Sequence, residues 1–194
     1  MDFILASSSP RRRELLNLVG IEPVVIFPDT REQMIDGESL GNFLKRVTDE
    51  KARSVYQSTF FDAVVMSADT IVLVNDNVLG KPRNRDHARL MLESLSDRMH
   101  EVWTGISVLY RGKARFDCAR TKVYFEKISE PEIERYLNHE TYQDKAGAYA
   151  IQGRASVFVK KINGCYFNVM GLPLHLMMQM LRKMGIHHYF FCQG

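Results

Sequence analysis

Short runs of β-type residues alternate along this chain with stretches whose apolar residues fall at helical spacing, and that alternation confines it to an α/β arrangement. Phe3 to Ala6 and Val24 to Phe27 read as strands, and Ser39 opens a helix whose apolar face is Leu40, Phe43, Leu44, Val47 and Val55. Ala63 to Met66 reads as an apolar strand running out into Ser67-Ala68-Asp69-Thr70. Ile71 to Val74 and Val78-Leu79 flank a hairpin turn at Asn75-Asp76-Asn77, and a helix is expected from Arg85 to Leu95 with Ala88, Met91, Leu92 and Leu95 inward. Val102 to Tyr110, Ala114 to Cys118 and Lys122 to Phe125 follow as strands, the first two joined at Arg111-Gly112. Ser129-Glu130-Pro131-Glu132 has the spacing of a capping box for a helix burying Ile133, Tyr136 and Leu137. Val157 to Ile162 and Cys165 to Met170 are expected to pair across Asn163-Gly164, and a last helix carries Leu174, Met177, Met178, Leu181 and Met184 on one face. Several hairpins among crossover-type segments favour a mixed sheet over a purely parallel one.

Composition narrows the function classes. The chain has 194 residues, 45% hydrophobic and 25% charged, enough for one sizeable core or two small lobes without a separable linker. A net charge of +3, with basic residues scattered apart from Arg11 to Arg13, suits a compact anionic ligand better than a nucleic acid or a membrane surface. Neither a secretory leader nor an apolar run of roughly 18 residues is present, so a cytoplasmic protein is expected. Cys118, Cys165 and Cys192 are odd in number and widely spaced, which reads as reduced thiols, and the histidines stand singly or, as His187-His188, in the tail.

The run Ser7-Ser8-Ser9-Pro10-Arg11-Arg12-Arg13 carries the most chemistry. Ser9 suits an N-cap and Pro10 the first helical position, so three cations fall in a first turn that already bears partial positive charge. Free N–H groups, hydroxyls and guanidinium forks at one point make a phosphate site; a serine cap followed by solvated arginines would give the same letters. Asp69, after an apolar strand, is the candidate general base or metal ligand, and Glu32 is a second carboxylate able to share a hard cation. Lys81 in Gly80-Lys81-Pro82 offers a point charge for phosphate oxygens, in a context that is not a Walker A loop. The stretch from Asp144 to Gly153 is small, apolar and glycine-flanked, either a tight structural turn or a place where a ligand meets backbone closely. In it, Gln152 presents both donors and an acceptor, suited to the polar edge of a base.

Taken together, Ala6-Ser7-Ser8-Ser9-Pro10-Arg11-Arg12, Glu50-Lys51-Ala52, Ala68-Asp69-Thr70, Gly80-Lys81-Pro82, Asp144 to Tyr149 with Ile151-Gln152-Gly153, and Val169 to Pro173 resemble the Maf family of nucleoside triphosphate pyrophosphatases. The resemblance implies an inosine-triphosphatase-like α/β fold, with a mixed twisted sheet, flanking helices and two lobes around a central cleft. It implies hydrolysis of a nucleoside triphosphate to monophosphate and pyrophosphate, dependence on a divalent cation (Mg2+, Mn2+ or Co2+), a homodimer, and a link to septum formation and division arrest. Arg11, Thr70 and Gln152 match members acting on dTTP and UTP; members preferring 7-methyl-GTP carry tryptophan, glutamine and glutamate there. Trp103-Thr104-Gly105 resembles the methyl-GTP group instead, away from those three positions. On the resemblance, Asp69 is the proton acceptor and with Glu32 holds the metal, while Ser9, Arg12, Lys81, Lys51 and Lys145 contact phosphates. The resemblance also admits modified pyrimidine nucleotides as substrates, and the competing functional readings are a nucleotide-binding regulator of septum formation without catalysis, a Maf enzyme preferring 7-methyl-GTP, and a phosphatase releasing single phosphates.

Overall fold

The computed structural model describes residues 1–56 and 62–187; Cys192 and the tail from His188 onward lie outside the described residues. Its elements are β1 (Phe3–Ala6), α1 (Pro10–Leu18), β2 (Val24–Ile26), α2 (Leu40–Tyr56), β3 (Val64–Val74), β4 (Asn77–Leu79), α3 (Arg85–Leu95), β5 (Met99–Tyr110), β6 (Lys113–Phe125), α4 (Glu130–His139), β7 (Val159–Asn163), α5 (Tyr166–Met170) and α6 (Leu174–Lys183). Strand order is β2-β1-β3-β5-β6-β7, with β4 on β3. β1 runs parallel to both neighbours, Ile4 opposing Val24 on one side and Val65 on the other, whereas β3–β4 and β6–β7 are antiparallel. The sheet is therefore mixed, as the hairpin signals require.

The chain forms two compact units, Met1–Asp69 with Thr104–Ala119 and Gly171–Gly194, and Thr70–Trp103 with Arg120–Met170. In the first unit, α2 lays Ala52 and Val55 over Ile4, Ala6, Val65 and Leu109. In the second, α3 and α4 close over Val72, Val74, Val102, Val123 and Phe125. The Ser129–Glu132 capping box forms, with Ser129 N–H and hydroxyl both donating to the Glu132 carboxylate. The two short hairpin turns carry positive φ at Asn75 and Asp76 and at Arg111 and Gly112, the geometry that matches strand twist.

The structure corrects the sequence reading in four places. β3 does not stop at Met66: it continues to Val74, so Asp69 stands in mid-strand rather than at a strand end. Ser67 and Asp69 look like loop residues in the sequence, but both point at α2, where the Thr48 carbonyl accepts from Ser67 and Lys51 meets Asp69. The segments Ala114–Cys118 and Lys122–Phe125 are one strand. Residues 166–170 are helical, so the expected Asn163-Gly164 hairpin has no second strand. Instead the Thr121 hydroxyl accepts from the Cys165 N–H and donates to its carbonyl, and the Asn168 amide donates to Val102 O and Thr121 Oγ1. Gly164, at φ 131°, passes so close that a Cβ would sit 2.7 Å from that hydroxyl. On α6 the buried methionines are Met177 and Met180; Met178 and the C-cap Met184 are only partly covered.

Thr121→Val should cost about 1–3 kcal/mol, since it leaves the Cys165 N–H without its acceptor at a fully buried position. Urea unfolding measures it. A second expectation concerns His100, whose burial pulls its pKa from 6.5 down to about 3. Between those values the unfolded chain binds a proton that the folded chain refuses, so the stability is complete above pH 6.5 and drains away as pH falls toward 3. The urea midpoint of the protein should fall through that window, and a His100→Leu variant should show a shallower fall.

Candidate functional site

Lys51 sits on the inner face of α2, only 4% exposed, and an ammonium at that depth requires countercharge. It finds two: its Nζ lies 2.7 Å from Asp69 Oδ1 and 2.6 Å from Glu32 Oε1. The match arises from register. Ser67 and Asp69, two apart on a strand, share one face, and Thr48 and Lys51, three apart on a helix, share another. A seam of hydroxyls fixes the helix on the sheet beside them, the Thr48 hydroxyl donating to Leu44 O at 2.7 Å and lying 2.9 Å from Ser107 Oγ, which donates to Asp49 at 2.5 Å.

Glu32 comes from the segment between β2 and α2, which has no regular structure of its own. Arg46 ties it down. Its guanidinium donates to both oxygens of Glu38, at 2.9 and 2.8 Å, and to the Gln33 carbonyl at 2.9 Å, next to Glu32.

The start of α1 adjoins this centre. Ser9 holds the N-cap backbone position with Pro10 following, but its side chain makes no cap bond and no acid lies in the first turn. Arg12 points inward rather than to solvent, with Nε donating to Gly171 O and Nη1 to Ser7 Oγ, both at 2.9 Å. Burial pulls its pKa down, while the fields of Asp69 and Glu32 push it back up and that of Arg11 pulls it down further. Ser7, Ser8, Ser9, Arg13, Asn17 and Phe27 border a cavity of about 450 Å³. The structure thus gathers Arg11, Arg12, Glu32, Lys51 and Asp69, beside Ser9.

Thr70, Lys81, Lys145 and Gln152 belong to the second unit. Thr70 follows Asp69 in β3 and is partly exposed, and Lys81 and Gln152 are exposed. The Gly147 N–H donates to the carbonyl of Gly80, joining the Lys81 turn to the loop that carries Gln152. Lys145 is buried, its ammonium donating to the Thr141 carbonyl and to Asp144 Oδ1, so it clasps its own loop.

Sequence reasoning placed Ser7 and Gly171 within motifs but gave them no part in the site, and it did not single out Glu38 and Arg46. The first two hold Arg12 and the other two hold the Glu32 segment. Gly171 acts through a carbonyl, for which a sequence carries no side-chain signal; a Glu38–Arg46 pair spanning a loop–helix junction was the one detectable cue.

The donor set suits a small hard cation. Two carboxylates converge on one ammonium, and among the described residues no group of three or more His, Cys, Asp or Glu forms a cage. Mg2+ characteristically takes one or two carboxylates and completes its shell with water and substrate phosphates.

A mixed α/β sheet presenting a carboxylate–ammonium centre beside an arginine-bearing helix start defines a protein built for an anionic ligand. The fold agrees with that of the Staphylococcus aureus Ham1 protein, at TM-score 0.53 and 12% identity over 95% of this chain and all of that one, which shows the inosine-triphosphatase-like fold. Residues 2–184 match the Maf-like protein family, and the chain belongs to it. It is 44% identical to a dTTP/UTP pyrophosphatase of Symbiobacterium thermophilum, covering 94% of this chain and 93% of that one. The corresponding figures for the dTTP/UTP pyrophosphatase of Syntrophus aciditrophicus are 43%, 94% and 89%, and for that of Clostridium botulinum strain Kyoto 40%, 96% and 98%. No helix among the described residues is long and apolar enough to cross a membrane.

Lys51→Met should destabilise the first unit by about 3–5 kcal/mol, because it strands the buried Asp69 carboxylate. Adding Asp69→Asn should return much of that loss. A loss in the double variant equal to the sum of the two single losses in urea would mean that the pair carries no coupling.

Proposed function

We propose that this protein hydrolyses dTTP and UTP to the monophosphate and pyrophosphate. The Lys51–Asp69–Glu32 centre carries the reading, in a chain whose relatives bear that activity in their names. Asp69 and Glu32 would hold a divalent cation, Mg2+, Mn2+ or Co2+. Bound there, it neutralises oxygens around the scissile phosphorus. Asp69 also takes the proton of the attacking water, and with Oδ1 engaged by Lys51 we assign that task to Oδ2. Lys51 keeps the two carboxylates together before substrate arrives. Ser9, Arg12 and Lys81 take the triphosphate, Arg12 as a charge already oriented by Ser7 and Gly171. Arg11, Thr70 and Gln152 read the base. Lys145 serves by clasping the Gln152 loop rather than by reaching phosphate. The reading includes a cytoplasmic homodimer, which light scattering on the purified protein checks.

With dTTP or UTP and Mg2+ or Mn2+, pyrophosphate and monophosphate should be the first products; orthophosphate and a diphosphate would instead mark a phosphatase. Chelator should abolish turnover and added cation restore it. Asp69→Asn should lower kcat at least about a hundredfold while the protein stays folded, the scale of a lost general base.

A further inference from the structure

Between α4 and β7 the chain holds a loop under local strain. Gly147 has φ 69° and Ala148 has φ 61°, the latter in the left-handed region that a residue with a Cβ avoids. A Cβ on Gly147 would lie 3.2 Å from Val72, so this stretch is also pressed against β3. Such a conformation persists only where the surroundings fix it. Both ends are tied: Lys145 to Thr141 and Asp144, and Arg154 to Glu140 through its guanidinium at 3.3 Å.

The middle is tied by one side-chain bond into the core. Tyr149, immediately after the strained Ala148, lies 2.7 Å from His100 Nε2 with its hydroxyl, and both residues are buried. The rings of His100, Tyr149 and Phe125 meet edge to face at 4.8 to 5.4 Å, so the phenol has one place to go. Among the described residues His100 Nδ1 has no hydrogen-bond partner, and the hydroxyl of Tyr149 is the polar contact this ring makes there. Burial holds the imidazole neutral and raises the pKa of the phenol, so one shared proton joins two uncharged groups. Gln152 lies exposed three residues beyond.

We propose that the His100–Tyr149 hydrogen bond is a latch that fixes the strained loop and thereby positions Gln152 to read the nucleobase. Both are positioning residues. The proposal rests on the reading of Gln152 as a base contact and says how the fold holds it: base selectivity in this enzyme depends on a buried bond that touches no substrate.

The test is Tyr149→Phe, which removes one oxygen and keeps the ring packing, with His100→Asn as a second variant and Gln152→Ala as the reference. KM and kcat are measured for dTTP, UTP and a purine triphosphate with saturating Mg2+. Tyr149→Phe should raise KM for the two pyrimidines about three- to tenfold, the scale of one lost hydrogen bond, while kcat changes less than KM. The dTTP-to-purine ratio of kcat/KM should fall in Tyr149→Phe, in His100→Asn and in Gln152→Ala. In the double variant Tyr149→Phe/Gln152→Ala it should fall no further than in Gln152→Ala, because the latch acts through that side chain. Amide exchange over residues 145–152 should accelerate in Tyr149→Phe. An unchanged ratio in Tyr149→Phe with a lowered ratio in Gln152→Ala overturns the latch and leaves Gln152 as a base reader. An unchanged ratio in all three variants overturns both.

Discussion

An ammonium buried under a helix must be matched by carboxylate, and the first unit is arranged around satisfying Lys51. The lysine is far too covered to rely on water, so two acids have to reach it from different parts of the chain. Asp69 comes from the middle of β3, which requires that strand to run unbroken past Met66. That continuation places Ser67 under the same helix, and Ser67 in turn finds the Thr48 carbonyl. Glu32 comes from irregular chain, and an ordered position for it requires the Arg46 fork on Glu38 and Gln33. One demand for countercharge thus accounts for the polar residues inside a strand, the hydroxyl seam and the anchoring of a loop.

The second unit answers a different constraint. Its loop from Thr141 to Arg154 sends Tyr142, Ala148, Tyr149 and Ile151 into the core and includes two residues at positive φ. Order comes from clasps at the ends, a glycine fitted against Val72, and a phenol carried into an aromatic core. The first unit fixes charges with charges, whereas the second clasps the ends of its loop with ion pairs and fixes the middle through two uncharged groups. That division suits the proposed roles, since phosphates respond to net charge and a nucleobase edge responds to the direction of donors and acceptors.

Much of this was legible in the residues. Apolar spacing located α2 and α3, the turn pairs located two hairpins, and the serine–proline–arginine run located the helix start with its charges. Burial was the part that was not legible. Arg12 sits among arginines that look solvated, and its bonds to the Ser7 hydroxyl and to the Gly171 carbonyl, 159 positions away, show that it turns inward. Ser67 and Asp69 carry loop-type side chains, and their place within a strand is set by partners on α2 that no local window contains. Residues 166–170 err in the opposite direction. Tyr166, Phe167 and Val169 favour a strand, but Thr121 takes up both backbone groups of Cys165 and Asn168 bonds back to β5, so tertiary contact overrides propensity.

The charge balance of the first unit bears on the chemistry. Arg12 and Lys51 bring two positive charges and Asp69 and Glu32 two negative ones, which leaves the four side chains together neutral. A triphosphate arriving alone would meet as much repulsion from the carboxylates as attraction from the guanidinium and ammonium, and in a half-buried setting both are felt strongly. Added positive charge tips that balance toward binding. Arg11 and the uncapped start of α1 supply some of it from the protein, and on the proposed reading a divalent cation supplies the rest at the two acids. A centre that is neutral before substrate arrives is also one that can fold. Clustered like charges, such as three arginines facing inward together, would cost stability with no ligand to offset them, and here Arg13 stays exposed while Arg12 alone of the three is buried against acids.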